Sequence, residues 1–307
     1  MSTESDPRYA RWARDAARVA AVAAAFMLTC AASTFAQTII DGEGFEPTQY
    51  STTFGGDGKL EGQLGDLPGD GVQAAWLASI GTTSTAVVQS SVVNSGTQAI
   101  QMDHAANEAT GGGRFGIPVT AWPDNARYVC IEWDMYVEET VGPTGTFGPF
   151  FGVEAYDDIT VGQGDFGLLG SLGVDASTGD VLYQQAGTGF LVETGLQVNF
   201  GEWNHFHIDL DFELGEYSIF VNTPADPNLA LATEPFVDGG ASLQDFSDAP
   251  LASFAAAGDP QSQALTGTAY FDNYIVYQLD VKIPEPTTMA MCMLALVATC
   301  STSRRRG

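Results

Sequence analysis

Basic residues are scarce in the central part of this chain of 307 residues. Residues 37–283 contain four of the 11 Lys and Arg but 34 Asp and Glu, an excess of 30 acidic residues. Binding to a phosphate backbone requires clustered Lys and Arg, so this composition excludes nucleic acid as a partner. Such acidity favours solubility in salt and attracts divalent cations.

Cysteine is also rare, with four residues in the whole chain. Cys30, Cys292 and Cys300 lie in apolar runs near the two ends, so Cys130 has no disulfide partner within the central part. Cys130 stands in a strand-like segment, and we expect it to be packed and unreactive. A nucleophile elbow, a phosphate-binding glycine loop before a helix and a Cys/His metal cluster are absent from the sequence.

Helical periodicity is missing between the two ends of the chain. Short runs rich in Val, Ile, Tyr, Phe and Thr alternate instead with turn pairs such as Asp57-Gly58 and Asp70-Gly71. Residues 37–281 are therefore predicted to form one all-β domain, a sandwich of two antiparallel sheets.

The first 36 residues have the order of a secretory signal peptide. Basic residues precede an apolar run from about Val19 to Ala32, and small residues continue to Ala36. This order predicts export, with cleavage after Ala36 and residues 1–36 as the signal peptide. An uncleaved membrane anchor is the alternative.

The last segment, 282–307, combines a Pro-Glu-Pro motif, an uncharged run and three arginines. The 17 residues from Thr287 to Ser303 would form a helix roughly 25 Å long, just short of a bilayer's hydrocarbon core. The arginines would stay on the cytoplasmic side, and the prolines would keep the glutamate exposed outside the helix. A C-terminal transmembrane helix is predicted, and a plain membrane anchor remains an alternative to a processed tail.

This tail resembles the PEP-CTERM sorting signal. The resemblance implies a Gram-negative envelope, transient anchoring in the inner membrane, recognition by an exosortase-type enzyme and removal of the tail. It further implies association with surface polysaccharide or biofilm matrix, at the cell surface or outside the cell. The residues that carry the match are Pro284, Glu285, Pro286, Arg304, Arg305 and Arg306.

Alternation of period two is clearest in three segments, 128–138, 205–212 and 269–278. It predicts strands with one face on a core and the other toward solvent. Trp133 falls on an apolar face and is expected in the core. In the third segment, strict alternation separates two sets of side chains: Tyr270, Asp272, Tyr274 and Val276 against Phe271, Asn273, Ile275 and Tyr277.

The order of the strand-like segments resembles the concanavalin A-like, or laminin G-like, jelly roll. That fold includes lectins, glycosidases and adhesion modules, so the resemblance implies an architecture and leaves the activity to be argued from a site. The segments that carry it are 60–76, 95–102, 150–158, 174–184, 200–222 and 267–278.

Glu132, Asp134 and Glu138 are similar to the Glu-x-Asp-x-Glu strand of jelly-roll glucanases. Retaining hydrolysis needs two carboxyl groups about 5 Å apart. Tyr136 stands where the second glutamate would be, and six strand residues place Glu138 about 20 Å from Glu132. Glu132 and Asp134, about 7 Å apart, leave an inverting glycoside hydrolase as the alternative function, but a solvated strand face is favoured.

His205, His207, Asp209 and Asp211 occupy one face of a predicted strand, and imidazole with carboxylate suits zinc or a similar ion. Side chains on one strand are spaced about 7 Å apart, so two neighbours can share a metal and a third ligand must come from an adjacent strand. His205, His207 and Asp209 are the predicted metal ligands. Acidic loops add the expectation of a structural calcium, without assigned ligands.

Exposed aromatic rings stack on sugars, and Trp122 and Tyr136 are the best candidates for such contacts. Together with Glu132 and Asp134 they form the predicted glycan-binding face. The sequence thus favours a non-catalytic, exported protein whose sandwich binds carbohydrate or mediates adhesion. Its predicted partners are the processing enzyme, extracellular polysaccharide and, transiently, the inner membrane.

Overall fold

A computed structural model describes residues 37–67, 72–108, 112–119, 127–158, 167–222, 229–239 and 243–279. The predicted signal peptide, the predicted sorting tail and Trp122 lie outside these ranges and remain predictions. The helices within these ranges are all too short or too polar to cross a membrane.

The described residues form 17 strands, one helical turn, α1 (Pro260–Gln263), and two 3-10 turns (Glu43–Phe45 and Phe54–Gly56). The strands are β1 (Gln37–Asp41), β2 (Leu64–Leu67), β3 (Val72–Ala75), β4 (Leu77–Ala78), β5 (Thr85–Gln89), β6 (Ala99–His104), β7 (Gly112–Gly116), β8 (Tyr128–Val137), β9 (Phe150–Asp157), β10 (Gly167–Asp175), β11 (Asp180–Gln184), β12 (Leu191–Gln197), β13 (Trp203–Asp211), β14 (Glu216–Asn222), β15 (Leu229–Pro235), β16 (Leu251–Phe254) and β17 (Gly267–Leu279).

These strands form two antiparallel sheets. The ten-stranded sheet has the order β15-β14-β13-β8-β17-β1-β2-β3, with β6 also paired to β17 and β5 to β6. The seven-stranded sheet has the order β12-β11-β10-β9-β16-β7-β4. The prediction of an all-β sandwich of two antiparallel sheets is confirmed.

The core lies between the inner faces of the sheets. Alternate residues of β8 point into it, and Trp133 is fully buried, as its place on the apolar face predicts. Its ring stacks on Phe206 of the adjacent β13, with centroids 5.6 Å apart and planes 11° apart. Burial of aromatic side chains of this size supplies a large share of the hydrophobic stabilisation.

Strand β17 departs from strict alternation. Its pairing with β8 shifts between Asp272 and Ile275, which marks a β-bulge. Asn273 lies in the bulge with a φ of 51°, in the left-handed region that asparagine tolerates better than most residues.

The bulge corrects the predicted division of segment 269–278 into two faces. Phe271 belongs to the core together with Tyr274 and Val276, from which strict alternation had separated it. Conversely, Tyr270 and Tyr277 both lie on the outer face of the ten-stranded sheet, where they contact Tyr136 and Glu132 of β8. The extra residue moves every later side chain of β17 to the opposite face from the one that strict alternation predicts.

Asp248 is an acidic side chain in a confined position before β16. Its Oδ1 atom is buried and has no hydrogen-bond partner among the described residues. A Cβ at Gly116 would lie 2.5 Å from the carboxyl oxygens of Asp248. The Asp248 side chain therefore fits here only because residue 116 is a glycine. Burial raises the pKa of Asp248 to about 7, against the opposing effect of the Ala249 and Ile117 backbone N–H groups.

We expect the Asp248→Asn variant to be more stable than the wild type near pH 8. Because the pKa is raised on folding, the native state holds a proton that the unfolded state loses, and stability falls as pH rises from about 4 to about 7. The asparagine stays neutral, so it should be more stable by about 1–4 kcal/mol at about pH 8 and lose this advantage near pH 4.

Urea denaturation at several pH values measures this difference. Exposed Glu139→Gln is the control and should follow the wild type at each pH. Parallel curves for Asp248→Asn and the wild type would contradict the assignment of a raised pKa to this carboxyl group.

Candidate functional site

The polar side chains singled out in the sequence lie on the outer face of the ten-stranded sheet, on β8, β13 and β17. We call this surface the polar face. The antiparallel register of β8 and β13 sets His205 opposite Asp134, His207 opposite Glu132, and Asp209 opposite Cys130. Directly opposite residues project to the same side of a sheet, so these candidates share one surface.

His205 lies between two carboxylates. Its Nδ1 atom is 2.9 Å from Oδ1 of Asp134, and its Nε2 atom is 3.7 Å from Oε2 of Glu132. The hydrogen bond to Asp134 raises the pKa of His205, and the charges of Asp134 and Glu132 add to this effect, whereas burial opposes it. The imidazole therefore keeps its positive charge to a higher pH than a free histidine does.

Asp134 is held by three side chains. Besides the contact with His205, it accepts hydrogen bonds from Nδ2 of Asn94 at 2.7 Å and from Nδ2 of Asn273 at 2.6 Å. Burial alone would raise the pKa of Asp134, but these hydrogen bonds outweigh it and hold the pKa below its usual value. Asp134 is thus an ionised, fully engaged carboxylate.

The neighbouring Asp272 fixes the loop that approaches the polar face. Its Oδ2 atom accepts hydrogen bonds from the backbone N–H groups of Asn94 and Ser95, at 2.9 and 3.0 Å. The bulge therefore serves two purposes, because Asn273 reaches Asp134 while Asp272 holds the loop that brings Asn94 to the same carboxylate.

His207, Asp209 and Cys130 form a second group on the polar face. The Nε2 atom of His207 lies 2.7 Å from Oδ1 of Asp209, and one ligand atom from each of the three residues lies within 4.8 Å of the others. Cys130 is buried, as its strand position predicts, and forms no disulfide with a described residue. Burial, followed by the charge of Asp209, raises the pKa of its thiol far above the usual range.

Tyr277 and Glu132 connect the two groups. The Tyr277 hydroxyl donates to Oε1 of Glu132, whose other oxygen faces His205. Burial raises the pKa of Tyr277, and the nearby Cys130 and Glu132 raise it further, so the hydroxyl stays protonated and remains a donor.

Aromatic rings extend the polar face beyond Asp134. The Tyr136 ring centroid lies 5.7 Å from that of Trp203 and 5.6 Å from that of Tyr270. Tyr136 and Trp203 are partly exposed, whereas Tyr270 is buried and donates to Oε1 of Glu138 at 3.0 Å. We call Tyr136, Trp203 and Tyr270 the aromatic group.

A cleft of about 640 Å³ adjoins the aromatic group at Glu138. Asp103, Glu139 and Thr268 also line it. The polar face therefore continues from the histidines through the aromatic rings to an acidic cleft.

The structure brings most of the predicted site residues together and divides one predicted set. Glu132, Asp134 and Tyr136 share the polar face, whereas the proposed metal ligands separate, since His205 binds Asp134 and His207 binds Asp209. The predicted calcium ligands were not assigned to residues, and calcium stays a prediction.

Sequence reasoning missed several members of the site. Strict alternation put Tyr277 on the opposite side of β17 from Tyr270, and Trp203 was not among the residues of the predicted glycan-binding face. Asn94 gave no signal, because it is 178 residues away from the Asp272 that fixes its loop. The Asn273 side chain could have been suspected from its residue type, which favours bulges and turns.

No protein-family model matches the chain, and no curated protein is similar to it in sequence. Solved structures with a similar arrangement of strands include the cellulose induced protein Cip1, with a TM-score of 0.45, 15% identity and coverage of 66% of this chain and 90% of that one. Another is the marine PL-14 alginate lyase from Aplysia kurodai, with a TM-score of 0.44, 13% identity and coverage of 62% and 86%.

A sialidase matches with a TM-score of 0.42 and 6% identity over 66% of this chain, but this chain spans only 16% of the sialidase. TM-scores below 0.5 at such identities assign neither a family nor an activity to the chain.

Replacement of Asn273 tests the link between the bulge and Asp134. Asn273→Gly keeps the left-handed backbone but removes the hydrogen bonds to Asp134 and from the Ser95 hydroxyl, so we expect a loss of about 1–3 kcal/mol in stability. Asn273→Ala should be less stable still, because alanine disfavours a φ of 51°.

Urea denaturation of the full chain measures both effects. Asn199→Ala, which removes only a contact between exposed side chains, is the control and should change stability by less than about 0.5 kcal/mol. Equal stability of the glycine variant and the wild type would show that the Asn273 side chain does not support the site.

Proposed function

We propose that the polar face and the aromatic group bind a neutral glycan chain and that the protein acts without catalysis. One observation carries this proposal: partly exposed aromatic rings lie on the same open sheet as a row of fixed hydrogen-bonding groups. Aromatic faces stack on the apolar faces of sugars, while carboxylate and amide groups bind sugar hydroxyls. Both kinds of group lie on a rigid sheet, which lowers the entropic cost of binding.

The charges of the polar face favour a neutral ligand. Glu132, Asp134 and Asp209 would repel a polyuronate or another anionic chain. Two of the basic side chains within the described ranges are already paired, Arg114 with Glu154 on the seven-stranded sheet and Arg127 with Glu213. A hydroxyl-rich chain without carboxylates is therefore the best-matched ligand class.

Binding without cleavage is supported by the state of Asp134. An inverting glycosidase needs a carboxylic acid that holds a proton near neutral pH and a second carboxylate that activates water. Three hydrogen bonds occupy Asp134 and lower its pKa, which is unfavourable for the acid. Glu132 accepts a hydrogen bond from Tyr277 and faces His205. Glu132 and Asp134 therefore do not provide the protonated acid and the free carboxylate that inverting hydrolysis requires.

The proposed location follows from the two ends of the sequence. A signal peptide at residues 1–36 would direct export, and the tail at 282–307 would hold the protein in the inner membrane until an exosortase-type enzyme removes it. The sandwich would then be released or attached in the cell envelope or matrix, where extracellular polysaccharide is available.

Replacement of Trp203 or Tyr136 by alanine should weaken glycan binding about tenfold or more, because each change removes a stacking surface. A glycan array identifies the ligand, and calorimetry with the full-length protein measures its affinity. Phe190→Ala is the matched control, since this exposed aromatic residue precedes β12 of the other sheet.

The same preparations should release no reducing sugar from the bound polysaccharide. If the wild type releases reducing sugar and Glu132→Gln does not, the protein is a glycoside hydrolase and the binding proposal is wrong. If both aromatic variants bind the glycan as tightly as the wild type, the polar face is not the binding site.

The sorting proposal predicts a mature protein that lacks Met289–Gly307. Mass spectrometry of protein recovered from the envelope of a host with an exosortase-type enzyme should find a C terminus near Pro286. Replacement of Pro284, Glu285 and Pro286 by alanine should leave the tail attached. An intact tail in the mature wild-type protein would refute processing.

A further inference from the structure

We infer that Cys130, His207 and Asp209 form a site for a single zinc ion or a similar thiophilic divalent cation. The site joins β8 to β13 on the polar face. It uses a cysteine that the proposed glycan contacts do not involve, and it excludes His205.

The register of two strands creates the site. His207 and Asp209 are alternate residues of β13 and therefore project to the same side, and Cys130 is directly opposite Asp209 on β8. Two neighbours on one strand thus obtain the third ligand from the adjacent strand, which the spacing along a single strand could not provide.

The three side chains already converge. Imidazole, thiol and carboxylate ligand atoms lie within 4.8 Å of one another, and this is the one such group of three or more metal-capable side chains in the described ranges. Tetrahedral zinc sites have ligand bonds of about 2.0–2.3 Å, so closure around an ion requires only small side-chain movements. The ion would replace the His207–Asp209 hydrogen bond as the link between these groups.

The donor set selects the class of ion. Calcium and magnesium prefer sites made of oxygen, whereas cysteine sulfur and imidazole nitrogen favour zinc and related transition metals. Coordination deprotonates a thiol, so the ion would be held by a thiolate, a carboxylate and a neutral imidazole. Such a site balances the charge of two anionic ligands with one divalent cation.

The position of the site limits what the metal can do. Cys130 is buried at the base, while the side chains of His207 and Asp209 are 22% and 23% exposed and form the outer rim. Three protein ligands leave the fourth position of a tetrahedron for water or for an oxygen atom of a bound molecule. The metal would therefore fasten β8 to β13 and present one exchangeable position toward the polar face.

Cobalt absorption and zinc dialysis test the site in the reduced full-length protein. The Co²⁺ form should show thiolate-to-cobalt charge transfer in the near ultraviolet, and one equivalent of Zn²⁺ should abolish it. Cys130→Ser should lose this absorption, and both Cys130→Ser and His207→Asn should weaken Zn²⁺ binding at least about tenfold. Calcium in excess should not displace the cobalt.

His205→Asn is the matched control, because it changes the adjacent histidine of the same strand face and leaves the three ligands intact. It should bind Zn²⁺ as the wild type does. The other three cysteines are present in all variants, so a difference between the wild type and Cys130→Ser reports on Cys130 alone.

The charge-transfer measurement on the wild type does not depend on the folding of any variant. A cobalt spectrum without thiolate absorption would overturn the inference. If Cys130→Ser and His207→Asn both bind Zn²⁺ as tightly as the wild type, the inference is also overturned. That result would show that acidic side chains elsewhere bind the ion.

Discussion

The pairing of β8 with β13 and β17 supports both sides of the ten-stranded sheet. On the inner side it stacks Trp133 on Phe206 within the core. On the outer side the same backbone register sets two histidines opposite two carboxylates. Because residues alternate between faces, a shift of one residue would exchange the aromatic core for the polar side chains. Burial of the core therefore fixes the register on which every contact of the polar face depends.

The acidity of the protein makes its few cationic side chains, and the amide groups that lie next to carboxylates, important. His205 separates Glu132 from Asp134, and Asn94 with Asn273 satisfies the rest of the Asp134 carboxylate. Carboxylates that would otherwise repel one another are thus held on a single sheet by neutral amide groups and by a histidine whose charge depends on pH. This arrangement holds the carboxylates of the polar face in place without Lys or Arg, and Tyr277 with Glu132 links the group at Asp134 to the group at Asp209.

Alternation in the sequence was sufficient to predict the sandwich and the inner and outer sides of β8 and β13, because each of these strands keeps a regular period. It failed in β17, where Asn273 inserts an extra residue and reverses the pattern. Spacing along one strand grouped His205 with His207, but pairing across strands separated them, and the sequence carries no record of which strand lies next to which. Asn94 was unpredictable for the same reason, since only the folded chain brings its loop to β17.

The position of β17 has a consequence for the order of events during biosynthesis. The final described strand is in the middle of the ten-stranded sheet, where it pairs with β8, with β6 and with β1 at the other end of the described chain. The sheet cannot close until nearly the whole domain has been synthesised, and its contacts join distant segments, which slows assembly. Until β17 emerges the ten-stranded sheet stays incomplete, and in a protein exported as proposed above this delay would suit passage through a translocation channel before the sandwich forms.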